Sequence, residues 1–286
     1  MDLILETAQK DERIRAVYLN GSRTNPNVLK DIFQDYDIVY VVTETASFIK
    51  DEEWIRIFGE LLMIQEPDKL DKLIGKDVSF DESYGYLMLF KDGNRIDLQL
   101  KTKESMLKGY TNDKLTIPLL DKDNILPQIP SPSDSDYWVK KPTEGEFYAS
   151  CSDFWWCLQN VAKGIWRDEL PYAKHMFENV LRPCLDEMVS RWIGMNHNYQ
   201  ISTGKMGKYF KKFLPESHWA MYKETYSDSN YENIWGSIFI ACELFRTLAK
   251  EIAEKLSFTY PVEDDQNMTS YLMHVRELPA NSQEIY

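Results

Sequence analysis

The feature that most constrains this chain is a change of hydrophobic period around LPQIPSPSDSDYWVKKP, Leu126 to Pro142. Before it, short aromatic and β-branched runs alternate with turn residues, the pattern of strands. After it, apolar residues recur every three or four positions, the pattern of amphipathic helices. A Pro/Ser/Asp-rich stretch between two such regimes reads as a linker. A length of 286 residues suits two domains. With 43% hydrophobic and 28% charged residues, the chain can bury a core in each. The expected fold class is α+β. A mixed sheet with helices spans residues 1–135, a helical bundle 143–260, and a polar tail lying on the surface 261–286.

Within the first half, a helix over Leu3 to Gln9 leads into the strand RAVYLNG, a polar loop, and the strand YDIVYVVT. FIKDEEWIRIFG has helical spacing at Phe48, Trp54, Ile57 and Phe58, and ELLMIQEP reads as a short buried strand. SYGYLMLFKDGNRIDLQLK predicts a hairpin turning at Asp92-Gly93, because that pair supplies the positive φ angles of a tight turn. KLTIPLL reads as an edge strand, since Pro118 cannot donate to a ladder. In the second half, Thr143 and Glu146 have capping-box spacing ahead of a stripe through Phe154, Leu158, Val161, Ala162 and Ile165. Pro183 is expected to kink the next helix. PESHWAMYKETY and NYENIWGSIFIACELFRTLAKEIAEKL predict two more helices.

Composition excludes some functions. With 46 acidic against 33 basic residues the net charge is −13, which argues against nucleic-acid binding and favours cationic ligands. The four cysteines form no C-x-x-C pair, consistent with free thiols in a reducing compartment. No signal peptide and no long uncharged apolar run is present, so a cytoplasmic protein with no membrane span is expected. His175, His197, His218 and His274 show no metal-ligand spacing.

The chemistry lies in YLNGSRTNPNVLKDIFQDYDIVYVVT. Asp35 and Asp37 are placed in an otherwise apolar strand, on one side and roughly 7 Å apart. Burying two carboxylates together is unfavourable by several kcal/mol unless a cation joins them. Gly21-Ser22 ends the preceding strand, where a glycine lets the backbone approach a phosphate and the following N–H and hydroxyl can hold its oxygen. In RIDLQL, Asp97 stands on the polar face of a strand. Three acids behind a Gly-Ser loop suit Mg²⁺ shared with nucleotide phosphates, and hence phosphoryl or nucleotidyl transfer with the third acid taking a proton.

The ordered set of strand, Gly-Ser, D-x-D and a later acid resembles the nucleotidyltransferase fold of the DNA polymerase β superfamily. NGSRTNPNVLKDIFQDYDIVYVVT, RIDLQL and the Trp-rich helical half look most like the aminoglycoside (streptomycin) 6-adenylyltransferase family, over nearly the whole chain. The resemblance implies ATP as co-substrate, Mg²⁺ as cofactor, and transfer of AMP to a drug hydroxyl, most simply the 6-hydroxyl of streptomycin, with release of pyrophosphate. Asp35 and Asp37 match the metal-binding D-x-D, Asp97 the third acid, both metal ligand and base, and Gly21, Ser22 and Arg23 the phosphate loop. Gln34 stands where many relatives carry Ser. In STGKMGKYFKKFLP, Lys208 and then Lys205 match triphosphate-binding lysines, and Tyr226 resembles an adenine-contacting Tyr; the alternative is a solvated basic loop.

Asp168 and Glu169 precede a helix, where the dipole alone favours acids; on the functional reading they pair with the guanidinium groups of the drug in a cleft between the domains. Trp155, Trp156 and Trp166 are either core residues or platforms for sugar rings. The expected partners are ATP and a cationic aminoglycoside, with monomer and homodimer both open. The rivals are a nucleotidyltransferase with another acceptor, such as a lincosamide or a protein hydroxyl, and a non-catalytic, antitoxin-like nucleotide binder.

Overall fold

The computed structural model describes residues 1–286 and divides into two compact units, Met1–Asp136 and Tyr137–Tyr286, the break falling inside the Pro/Ser/Asp-rich stretch. No helix is long and apolar enough to cross a membrane.

The first unit is a six-stranded mixed sheet. Helix α1 (Asp2–Lys10) precedes β1 (Ile14–Asn20), and a 3₁₀ turn over Gly21–Thr24 follows it. Then come β2 (Tyr36–Val42), α2 (Ala46–Lys50), β3 (Leu61–Gln65), α3 (Pro67–Leu73), β4 (Ser83–Phe90), β5 (Arg95–Thr102), α4 (Lys103–Leu107) and β6 (Thr116–Asp121). The strand order is β3-β4-β5-β2-β1-β6, with β2 and β5 parallel and every other pair antiparallel.

β2 is apolar at successive positions because both of its faces are covered. Ile38, Tyr40 and Val42 join the larger cluster with Ile4, Ala8, Phe48, Trp54 and Phe58, while Val39 and Val41 meet Tyr18, Met106 and Tyr110 on the other side. β5 alternates instead. Ile96, Leu98 and Leu100 enter the larger cluster, whereas Asp97, Gln99 and Lys101 lie on a face left half-exposed. The hairpin turns at Gly93 (φ +86°), and Pro118 sits in the edge strand β6, as the sequence predicts.

Two local expectations are corrected. FIKDEEWIRIFG is not one helix: α2 stops at Lys50, a separate 3₁₀ turn spans Trp54–Phe58, and Ile57 is exposed while Trp54 and Phe58 are buried. β3 is a strand, but an edge one. Leu62 and Met63 point to solvent, because a bulge between Leu61 and Met63 breaks the alternation.

The second unit is helical. α5 (Glu144–Trp166) opens on the expected Thr143/Glu146 capping box. α6 (Leu170–Met176), a π-helical stretch at Phe177–Leu181 and α7 (Arg182–Asn196) follow. The wide turn lies just ahead of Pro183, which has no N–H and crowds the carbonyl four residues back. α8 (Phe210–Phe213), α9 (Glu216–Glu224), α10 (Tyr231–Leu256) and α11 (Val262–Glu277) complete the unit. Phe154 of α5 stacks on Phe245 of α10 with centroids 3.9 Å apart, within one continuous core.

The segment from 261 onward, read as a polar surface tail, is largely α11. Its acids Glu263, Asp264 and Asp265 occupy the first helical turn, where the dipole favours them. Leu272 and Val275 are buried, and Asp265, only 3% exposed, is held by Arg246 through two bonds of 2.6 and 2.7 Å. A partnered buried acid made the segment look more polar than its packing is.

Candidate active site

In the first unit the structure gathers Gly21, Ser22, Arg23, Asp35, Asp37 and Asp97. The parallel pairing of β2 with β5 sets Asp37 directly opposite Asp97, and Asn20 at the end of β1 lies opposite Asp37 on its other side. Asp35 is one residue ahead of β2 rather than inside it, so its backbone is free of the ladder. The burial problem posed by the sequence therefore falls on Asp37. Burial pushes its carboxyl up to about 6, with the charges of Asp97 and Asp35 adding to the effect and Arg95 and Arg23 opposing it.

Gly21 is required twice over. Its φ of +75° is a left-handed conformation, and a β-carbon there would lie 2.2 Å from Asp37 Oδ2. The glycine leaves the space in which the carboxylate sits. Its N–H bonds to the Leu115 carbonyl (3.0 Å), its carbonyl accepts from the Thr24 hydroxyl (2.8 Å), and Ser22 is half-buried in the same turn.

Arg23, expected on the phosphate, is directed elsewhere. Nε donates to the Asp35 carbonyl (2.9 Å), Nη2 donates to the Gln34 carbonyl (2.6 Å), and the guanidinium lies 3.6 Å over the Tyr36 ring. It pins the entrance to D-x-D. Gln34 reaches back to the Ser22 carbonyl through Nε2 (3.4 Å), leaving Oε1 buried without a partner. That amide ties the two halves of the site together instead of facing a phosphate.

Arg95 is the residue that sequence reasoning missed. It precedes Asp97 by two positions and shares its strand face, so its guanidinium folds onto that carboxylate. Nε and Nη2 each donate to one Asp97 oxygen at 2.7 Å, and Nη1 stands 3.5 Å from Asp35 Oδ2. The signal was present as R-x-D within a strand, a spacing that puts both side chains on one side.

No group of three or more acids, histidines or cysteines is preassembled as a metal cage. The donor set nevertheless suits Mg²⁺, which takes one or two carboxylates and completes its shell with water and phosphate oxygens. Asp35 and Asp37 supply hard oxygens beside a glycine-lined turn, and Asp37 is a carboxylate whose charge a cation would relieve.

The remaining predicted residues lie in the second unit. Lys205 and Lys208 are exposed on the loop between α7 and α8, and the Lys208 ammonium is 5.2 Å from the Tyr209 ring centroid. Tyr226 has one ring face 3.7 Å from the Arg182 guanidinium, and its hydroxyl is 3.2 Å from that of Tyr222, which donates to Asp186 (2.7 Å). Asp168 is exposed at φ +57° and accepts from the Tyr231 hydroxyl (2.8 Å). Glu169 is the exposed N-cap residue of α6 but makes no side-chain capping bond. The helix dipole, which favours acids at this end, needs no such bond. Trp155 is core and Trp156 is 69% exposed, while Trp166 donates to the Pro279 carbonyl (3.3 Å).

Known proteins resemble this chain over most of its length. The streptomycin adenylyltransferase family profile matches residues 1–275. An aminoglycoside 6-adenylyltransferase of Bacillus subtilis is 38% identical over 272 residues, covering 95% of this chain and 94% of the relative. Proteins of the same name from Staphylococcus aureus (38%, 91% and 92% covered) and Campylobacter jejuni (37%, 96% and 94% covered) are similar to the same extent. A crystal structure of an aminoglycoside 6-adenyltransferase from Bacillus subtilis aligns over 97% of each chain at 33% identity, with a TM-score of 0.49. This chain belongs to the streptomycin adenylyltransferase family and is a nucleotidyltransferase.

Proposed function

We propose that the protein transfers AMP from MgATP to a hydroxyl of an aminoglycoside, the 6-hydroxyl of streptomycin, releasing pyrophosphate and inactivating the drug. The observation that carries the reading is the in-register pairing of Asp37 with Asp97 beside the Gly21-Ser22 turn, in a chain whose relatives are named aminoglycoside 6-adenylyltransferases.

On this reading Asp35, Asp37 and Asp97 hold Mg²⁺, and the Ser22 hydroxyl and neighbouring N–H groups take a phosphate oxygen. Bound Mg²⁺ would supply charge neutralisation at the phosphates. Asp97 accepts the proton of the attacking hydroxyl, and that oxygen forms a bond to the α-phosphorus as the bond to pyrophosphate breaks. Arg23 keeps the D-x-D entrance in place through the Gln34 and Asp35 carbonyls. Lys208 and Lys205 neutralise the triphosphate, and Tyr226 offers adenine its ring face. Asp168 and Glu169 pair with the guanidinium groups of the drug.

The test is mass spectrometry of streptomycin and other aminoglycosides incubated with enzyme and MgATP. One AMP adduct per streptomycin, with matching pyrophosphate, is expected. Pyrophosphate release only with a lincosamide or a protein acceptor would replace the substrate assignment.

A further inference from the structure

Asp97 has two oxygens, and Arg95 holds both. Nε donates to Oδ1 and Nη2 donates to Oδ2, each at 2.7 Å, while Nη1 leans to Asp35 at 3.5 Å. A carboxylate gripped this way has one lone pair of each oxygen committed to a guanidinium, so a metal or a proton has to compete with Arg95 for that side of the group. The grip lies at the surface: the Arg95 side chain is 43% exposed and that of Asp97 22%. The guanidinium can therefore swing into water without opening a packed core. Asp35 and Asp97 lie on either side of this guanidinium, and Arg95 is the side chain that contacts both.

We propose that Arg95 is a positioning residue that occupies Asp97 and Asp35 in the metal-free protein and has to release Asp97 before a divalent cation is fully bound. It sets the threshold for metal binding and makes that threshold depend on nucleotide. A bare cation has to displace the guanidinium into water. A metal–nucleotide complex brings phosphate oxygens that receive the guanidinium in exchange. The inference rests on the reading of Asp35, Asp37 and Asp97 as metal ligands.

The experiment is a titration of full-length, nucleotide-free protein with Mn²⁺, a paramagnetic substitute for Mg²⁺, with free ion measured by electron paramagnetic resonance. Arg95→Gln is expected to bind Mn²⁺ on the order of 10-fold more tightly than wild type, the scale of one lost charge-assisted competitor that is partly solvated. The gain is expected to shrink when a non-hydrolysable ATP analogue is present. Arg95→Lys keeps the charge but loses the two-pronged hold, so it is expected to fall between the two.

Unchanged or weaker Mn²⁺ binding by a folded Arg95→Gln protein overturns the proposal. If that variant does not fold, Arg95→Lys decides, and binding no tighter than wild type overturns it. Failure of the metal reading has a different signature: wild type and Asp37→Asn would bind Mn²⁺ equally, which overturns both. If Asp37→Asn loses Mn²⁺ while Arg95→Gln matches wild type, only the Arg95 proposal falls.

Discussion

Replacing Asp37 by Asn in metal-free protein is expected to stabilise the first unit while abolishing AMP transfer. The Asp37 carboxyl is raised from 3.8 to about 6, first by burial and then by the charges of Asp97 and Asp35. At ~1.4 kcal/mol per pKa unit the shift corresponds to about 3 kcal/mol of unfavourable ionisation. Solvent reaches part of the group, which lowers the expected gain to ~1–2 kcal/mol. The pH dependence follows from the direction of the shift. A carboxyl whose folded pKa lies above its unfolded value does not destabilise below pH ~4, destabilises increasingly between ~4 and ~6, and is fully destabilising above that. The advantage of Asp37→Asn should follow the same course, absent at pH 4 and complete at pH 7.5. Urea titrations in chelator, read by hydrogen exchange at the β2 and β5 amides, measure it. A variant equal to or less stable than wild type at pH 7.5, or one with a pH-independent difference, would refute the reasoning that burial and the neighbouring acids disfavour the Asp37 charge. Saturating Mg²⁺ should reverse the order, since the wild-type protein alone gains from the cation.

Other expectations concern the rest of the site. Asp97→Asn should lower kcat by ~10² or more while ATP binding changes less, measured by steady-state and equilibrium titration; wild-type kcat would remove Asp97 from proton transfer. Gly21→Ala should destabilise the protein by ~1–3 kcal/mol through its positive φ alone, with a further loss from the contact with Asp37, read as a lowered Tm. Lys208→Ala should weaken ATP binding more than Lys205→Ala does, with the accepted drugs unchanged; equal ATP affinity in the double variant would make the loop merely solvated. The double change of Asp168 to Asn and Glu169 to Gln should raise the KM for streptomycin and spare that for ATP. Because both acids are exposed, the free acids are screened by water, and a rise of ~3- to 5-fold at low salt that fades at high salt is expected. No change at either ionic strength would leave the two acids without a role in the drug site.

The chain by itself determined its periodicities, because those depend only on local geometry. The alternation of β5, the helical stripe of α5, the Thr143/Glu146 box and the turn at Gly93 each rest on neighbours a few residues apart, and each is found where the residues require it. The acids and the glycine beside them were legible for a related reason: carboxylates in an apolar strand are unfavourable enough to need an explanation. What the sequence did not contain was which surfaces are covered. Tertiary packing left β3 at an edge, split the Phe48–Phe58 segment, and buried one side of α11. The same packing made β2 and β5 parallel neighbours and set their register, and only that register puts Asp37 against Asp97. Arg95 follows from it too. Its spacing to Asp97 is written in the chain, but its reach to Asp35 exists only once the two strands lie side by side. Period is a property of consecutive residues. Register, coverage and charge pairing belong to segments tens of residues apart, and they are decided where those segments exclude water from one another.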